Sequence, residues 1–251
     1  MVMPLYDDNP FKLPHRPIVT WGLIVANFVV FFAELGPDGS AQDWVTLFGI
    51  TPGAFIGDID IPGAPSPALT LLSYMFLHAD LMHISGNMIF LWVFGDDIEE
   101  ALGRWRFLAF YLATGVLAGL AFIATDLHSQ TSLVGASGAI AGVVIAYVML
   151  RPCAKITVLT FGIIPMRISA YWVVGSFAIL QFINLGSASR SEVAYWCHVG
   201  GMAAGAILFP LMRPAGVKLF QCIRAPKEPV VAAASDPAAA RPPSWRPLTP
   251  E

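Results

Sequence analysis

The chain has 251 residues, of which 56% are hydrophobic and only 12% are charged, and its formal net charge is -3. A soluble globular domain usually has roughly 25% charged residues, so the composition argues against that class. No patch of basic residues supports nucleic-acid binding. The apolar residues occur in long runs, which predicts a multi-pass membrane protein that contacts the lipid bilayer.

Six apolar segments predict an all-α, polytopic membrane bundle of six transmembrane helices at residues 18–213. Residues 1–17 form a polar, proline-rich segment without the apolar core of a signal peptide. A long loop at residues 36–80 is expected to lie on or in the membrane interface. Residues 214–251 are rich in Pro and Ala, which predicts a disordered tail. The predicted spans are residues 18–35, 81–101, 107–124, 137–150, 168–185 and 193–212.

The basic residues predict the orientation of the chain. With six spans both termini lie on one side, and of the 14 Lys and Arg residues only Arg190 falls on the opposite side. The positive-inside rule then predicts cytoplasmic termini in the inner membrane of a cell. The fourth span, Ser137 to Leu150, is short, about 21 Å at 1.5 Å per residue. Against a hydrocarbon core of about 30 Å, Ser137 is expected roughly 9 Å below the outer face.

Polar residues in three of the predicted spans form a candidate catalytic site. His83 and Asn87 are four residues apart and share one face of the second span. Ser137 begins the fourth span, and His198 lies in the sixth. Small residues at four-residue spacing allow close approach of the fourth and sixth spans, which would bring Ser137 and His198 within hydrogen-bonding reach. These small residues are Gly138 and Gly142 in one span and Gly201 and Gly205 in the other.

A serine hydroxyl beside an imidazole is the minimum requirement for nucleophilic catalysis. The backbone N–H of Ser137, together with His83 and Asn87, would supply donors for an oxyanion. No carboxylate lies at comparable depth in the sixth span, so the sequence predicts a Ser–His dyad rather than a triad. Taken singly, each residue has a structural explanation, such as helix packing for the glycines or a satisfied core histidine for His198.

Two further groups are interpreted structurally. The four carboxylates at the cytoplasmic end of the second span are expected to form a solvated face that pairs with Arg104 or Arg106. The three cysteines are scattered and odd in number, which does not indicate a disulfide framework. The carboxylates are Asp96, Asp97, Glu99 and Glu100, and the cysteines are Cys153, Cys197 and Cys222.

The motifs together resemble those of bacterial rhomboid intramembrane serine proteases of the six-span type, over residues 15–213. Gly135-Ala136-Ser137-Gly138 matches the family's Gly-x-Ser-Gly. His78, His83 and Asn87 match the motif before and within the second span, and His198, Gly201 and Gly205 match the motif of the sixth. The resemblance implies a rhomboid-like fold, Ser137 as nucleophile, His198 as base, and His83, Asn87 and the Ser137 N–H as the oxyanion hole. It also implies transmembrane protein substrates of a single span, cut in or near the membrane without metal or cofactor.

Two positions depart from the family pattern. Leu69-Thr70 stands where many members have Trp-Arg, so the loop must be held differently. Ala141 stands where many members have a Tyr that supports the catalytic imidazole, so His198 must be oriented by other packing.

The main alternative is a weak or inactive rhomboid-like protein that binds or escorts membrane proteins. Such a protein would lack the Ser or the His, and this chain has both. A transporter would have charged residues at mid-membrane and internal repeats, and the sequence shows neither. A membrane metalloprotease would have a His-Glu-x-x-His helix, which is absent from the sequence.

Overall fold

Nine helices pack into a bundle with a small sheet at one end in the part of the chain that the computed structural model describes, residues 2–8, 16–36, 41–160, 164–185 and 195–222. Arg190 and its loop lie outside these residues. The helices are α1 (Ile18–Glu34), α2 (Ala41–Phe48), α3 (Pro52–Phe55), α4 (Pro67–Ser73), α5 (Leu81–Leu102), α6 (Arg104–Ile123), α7 (Ser137–Leu150), α8 (Ala170–Leu185) and α9 (Tyr195–Met212). The strands are β1 (Val2–Asp7), β2 (Lys155–Thr160) and β3 (Ile164–Ser169).

Each predicted apolar span corresponds to one of these helices, and the mostly helical bundle agrees with the predicted fold class. By length and apolar composition, α6 and α9 are each sufficient to cross a membrane, whereas α1, α7 and α8 are apolar but shorter. Helix α5 has 22 residues but includes four carboxylates near its end. The number of helices that cross the bilayer therefore stays a prediction.

Local signals in the sequence explain the two ends of α5. The Asp80 side chain accepts a hydrogen bond from the His83 backbone N–H at 2.7 Å, which satisfies one of the free N–H groups of the first turn. Gly103 ends the helix with φ of 80°, a conformation that glycine adopts without steric cost. The chain turns there and enters α6 at once, so α6 begins three residues before the predicted span.

The first turn of α1 is capped by a carboxylate from α5. Glu99 accepts hydrogen bonds from the backbone N–H of Val19 at 3.0 Å and of Thr20 at 2.7 Å, and from the Thr20 hydroxyl at 2.8 Å. Asp97, also buried, forms an ion pair with Arg151 at 3.2 Å. The expectation of a solvated acidic face is therefore wrong for these two carboxylates, which join helices at the end of the bundle.

The three-stranded antiparallel sheet, in the order β1-β2-β3, was not predicted. Strands β2 and β3 form a hairpin between α7 and α8, and β1 pairs with the edge of β2 that faces away from β3. The Tyr147 hydroxyl of α7 donates a hydrogen bond to Asp7 at 2.6 Å, and Asp8 forms an ion pair with Arg167. The N-terminal strand is thus attached to the end of the bundle where α7 finishes.

Residues 213–222 lie against that same end, although the sequence placed 214–222 within a disordered tail. The Phe220 backbone N–H donates to the Met149 carbonyl at 2.7 Å, and Val217 and Leu219 pack against the core. Cys222 forms a disulfide with Cys153, which the scattered cysteines of the sequence did not indicate. Both described ends of the chain therefore lie at one end of the bundle, and residues 223–251 lie outside the described part.

The long loop between α1 and α5 is held by backbone pairing to the segment before α7. Ile50 and Leu133 exchange two hydrogen bonds, of 3.0 and 2.8 Å, and the Gly53 N–H donates to the Ser129 carbonyl at 3.0 Å. At the positions of the family's Trp-Arg pair, Leu69 is exposed and the hydroxyl of Thr70 bonds the Pro67 carbonyl at 2.7 Å. The loop is thus fixed to the segment that carries Ser137.

Candidate active site

The start of α7 presents Ser137 at the end of a glycine-containing turn. Gly135 has φ of +125°, a conformation that side-chain-bearing residues rarely adopt, and its N–H donates to the Tyr74 carbonyl at 2.9 Å. A Cβ on Gly135 would lie 2.8 Å from Cε1 of His83 and 3.7 Å from the Ser137 hydroxyl oxygen. Glycine is therefore required here because the His83 ring packs directly against the backbone, and this contact places His83 beside Ser137.

Glycines bring α7 and α9 into backbone contact, as the spacing predicted. A Cβ on Gly201 would lie 2.0 Å from the Gly138 carbonyl oxygen, and a Cβ on Gly205 would lie 2.5 Å from that of Gly142. No side chain fits between these backbones, so the two helices approach as closely as helices can. This approach places the α9 histidine at the first turn of α7.

Ser137 and His198 form a hydrogen-bonded pair. His198 Nε2 lies 2.8 Å from the Ser137 hydroxyl oxygen, and the His198 side chain is buried. The other ring nitrogen, Nδ1, lies 2.8 Å from the Gln181 side-chain oxygen of α8. The Phe177 ring, one turn earlier in α8, lies 6.1 Å from the imidazole between centroids. The predicted contact between the fourth and sixth spans thus brings Ser137 and His198 together, and α8 adds a third side chain, Gln181.

Gln181 is the residue that the sequence interpretation missed. Ala141, which replaces the family's tyrosine, is buried and small, and the imidazole is instead held from α8. The sequence did contain a signal for Gln181, because a polar side chain inside an apolar span indicates a functional role by default. What the sequence did not indicate was the partner, since that depends on how α8 is rotated against α9.

His83 and Asn87 lie on one face of α5, as predicted from their spacing. Asn87 is 7% exposed, and its side-chain Nδ2 has no hydrogen-bond acceptor among the described residues. A buried amide donor without an acceptor costs free energy unless a ligand uses it. The contact of His83 with Gly135 puts its ring near the hydroxyl of Ser137. His83 therefore lies beside Ser137, and Asn87 follows one turn later on the same face of α5.

His78 lies behind His83, with ring centroids 5.1 Å apart and nearly perpendicular ring planes. The side chain is buried at 2% exposure, and burial lowers the pKa of His78 to about 3, with the neighbouring His83 adding to the effect. His78 is therefore neutral at physiological pH. It packs against the His83 ring beside the site.

No group of three or more His, Cys, Asp or Glu side chains is arranged to bind a metal within the described ranges. Cys197, next to His198, is buried, with its sulfur 3.9 Å from the Tyr74 hydroxyl oxygen. The expectation that the protein uses no metal or cofactor stays a prediction.

Fold and site together define a helical bundle in which a serine and a histidine from two closely packed helices share a hydrogen bond. The sequence matches the family model of the Rhomboid domain over residues 66–215. The chain belongs to the rhomboid family, whose members are multi-pass membrane proteins.

Curated relatives are similar at low identity. The chain is 27% identical to the rhomboid protease GluP of Bacillus subtilis over 194 residues, which are 76% of this chain and 34% of that protein. It is 29% identical to Rhomboid-related protein 1 of Caenorhabditis elegans, over 75% of this chain and 53% of the relative. It is 26% identical to the rhomboid protease AarA of Providencia stuartii, over 80% and 77% respectively. The matches thus span one third to about half of the first two relatives.

Proposed function

We propose that the chain is an intramembrane serine endopeptidase that cleaves single-span membrane proteins in or near their transmembrane segments, with Ser137 as nucleophile and His198 as general base. The observation that carries the proposal is the 2.8 Å hydrogen bond between His198 Nε2 and the Ser137 hydroxyl, formed at the start of a helix. Relatives named as proteases support the same reaction class.

The first chemical step follows from this geometry. His198 Nε2 accepts the hydroxyl proton while the Ser137 oxygen attacks the substrate carbonyl carbon, so that a C–O bond forms and the carbonyl π electrons move to oxygen. The imidazolium then gives its proton to the leaving amine as the C–N bond breaks. Water repeats the sequence on the ester, with His198 again as base, and releases the second product and free Ser137.

Three donors are available for the negative charge on the tetrahedral oxygen. The first N–H groups of a helix have no acceptor within it, and Ser137 is the first residue of α7. The Nδ2 amide of Asn87 is buried and unused among the described residues, and the His83 ring lies against Gly135 beside the nucleophile. Donors that are already in position stabilise the transition state without reorganisation.

The proposed topology has six spans, cytoplasmic termini in the inner membrane and an active site near the outer face. The placement of β1 and of residues 213–222 at the same end of the bundle supports termini on one side. Helix α7 starts at Ser137 and ends at Leu150, which supports a nucleophile that lies below one membrane face rather than at it. A substrate must reach it in extended form, because an intact helix uses its carbonyls in its own hydrogen bonds.

The test uses purified protein in detergent with a generic single-span substrate. Ser137→Ala and His198→Ala should each abolish cleavage while the protein still inserts and purifies. Because the two residues act as a unit, the double variant should be little worse than either single one. Substantial turnover by purified Ser137→Ala would refute the proposal. Substrate binding without cleavage by the wild-type protein would instead favour the escort alternative.

A further inference from the structure

Gln181 joins the serine and histidine into a line of three hydrogen-bonded side chains from three helices. Its side-chain oxygen lies 2.8 Å from His198 Nδ1, and His198 Nε2 lies 2.8 Å from the Ser137 hydroxyl oxygen. Gln181 is 6% exposed, so water does not compete freely for its amide. The imidazole is thus held at both nitrogens, from α8 on one side and from α7 on the other.

A second hydrogen bond determines which end of the Gln181 amide faces the imidazole. The amide nitrogen donates to the Phe177 carbonyl at 3.3 Å, and a carbonyl can only accept. The amide oxygen therefore points at His198, and since it too can only accept, Nδ1 must carry a proton. In the neutral ring, Nε2 then has the free lone pair that a base needs to take the Ser137 proton. The reversed amide would select the tautomer that donates to Ser137 and cannot act as base.

We propose that Gln181 is a positioning residue, which holds His198 in the tautomer that accepts the Ser137 proton and stabilises the imidazolium that forms. This inference rests on the proposed function. A carboxylate does the same in the Ser-His-Asp triad, and an amide does it in Cys-His-Asn proteases. An amide suits an apolar bundle because it supplies the acceptor without a buried charge, which is costly inside a membrane. The predicted Ser–His dyad is extended accordingly by a third side chain that orients the imidazole.

Helix α8 holds the ring through one face. Phe177 and Gln181 are four residues apart, so the same face supplies an aromatic contact at 6.1 Å and the amide oxygen. The ring contact restricts the plane of the imidazole, and the hydrogen bond selects its tautomer. Removal of the amide alone should therefore leave the imidazole in place against Phe177 but allow both of its tautomers. This effect distinguishes the selection of the tautomer from the packing of the ring.

The experiment compares Gln181→Leu, which has no acceptor, with Gln181→Glu, whose carboxylate accepts the same bond. Ser176→Ala is the matched control, because Ser176 also hydrogen-bonds a backbone carbonyl of α8, that of Val173, at 2.9 Å. Protein with ring-¹⁵N-labelled histidine is studied by NMR, and the His198 signals are assigned by their loss in His198→Asn. The wild type should show proton at Nδ1, Gln181→Leu should show a mixture of both tautomers, and Gln181→Glu and the control should match the wild type.

Activity supplies the second readout. Gln181→Leu should lower kcat by about 10- to 100-fold, the usual effect of leaving one buried donor unsatisfied, with KM unchanged. Gln181→Glu should recover most of the loss, and the control should retain wild-type kcat. If the Leu variant does not insert, Gln181→Met, an unbranched chain of similar length, replaces it in both measurements.

An unchanged tautomer in the variant without an acceptor, or wild-type kcat, would overturn the inference. The tautomer is measured without substrate, so a protein that cleaves nothing still tests the role of Gln181. Conversely, Ser137→Ala could cleave at the full rate while Gln181→Leu shows the expected mixture of His198 tautomers. That result would refute the proposed function and leave the role of Gln181 standing.

Discussion

The contact between α7 and α9 predicts that one methyl group is sufficient to disable the site. In Gly201→Ala the new Cβ would lie 2.0 Å from the Gly138 carbonyl oxygen, whereas ordinary contact begins at 3.4 Å. The two backbones must therefore separate by about 1.4 Å, the difference between these distances. If the separation acts along the bond from His198 Nε2 to the Ser137 oxygen, its 2.8 Å becomes about 4 Å, which is no longer a hydrogen bond.

The expected loss in kcat/KM is about 100-fold or more, because a misplacement of about 1 Å at reacting groups costs a factor of that order. The assay is the initial rate of cleavage of a single-span substrate in detergent, and Ser137→Ala gives the background rate. Gly175→Ala is the matched control, since a Cβ at this α8 position meets nothing within 4 Å. That variant should keep its activity and gain up to roughly 1 kcal/mol in helix propensity. Wild-type kcat/KM for Gly201→Ala would refute the argument from backbone contact.

Three further outcomes are expected. Asn87→Ala should lower kcat by about 10²- to 10³-fold with little change in KM, as loss of an oxyanion donor does; an unchanged kcat would make Asn87 structural. Burial lowers the pKa of His78 from 6.5 to about 3, so the folded state binds fewer protons than the unfolded state between these values. Thermal stability should therefore fall as the pH is lowered through 6.5 toward 3, and His78→Asn should remove this part of the slope. Truncation after Cys222 should preserve activity and melting temperature, whereas truncation after Pro214 should lower the melting temperature by several degrees because Val217 and Leu219 leave the core; equal stability of the two would contradict that packing.

The sequence predicted best those features that depend on neighbouring residues. Ser137 begins α7 as predicted, because a glycine-containing turn acts directly on the helix that follows it. The glycine spacing predicted the close approach of α7 and α9 because small residues at i and i+4 have that effect on any helix pair. The pair Ser137–His198 followed from that approach.

Features that depend on distant partners were missed. Strand β1 contains Pro4 and pairs with a strand about 150 residues later, and no local pattern specifies such a partner. Glu99 is a charged residue near a helix end, which usually indicates solvent, but its acceptors are used by backbone N–H groups of α1 that any residue type could provide. Gln181 depends on the rotation of α8, which only the assembled bundle determines.

The cap that Glu99 provides for α1 also sets an order of events during synthesis. Its acceptor oxygens lie 80 residues after Val19 in the chain. Ribosomes add roughly 5–20 residues per second, so about 4–16 s pass between the synthesis of the first turn of α1 and that of its cap. During this interval the Val19 and Thr20 N–H groups must find other acceptors, such as water at the membrane surface. Helix α1 is therefore secured at its N-terminus only after α5 has been made, so its docking belongs to the later steps of biogenesis.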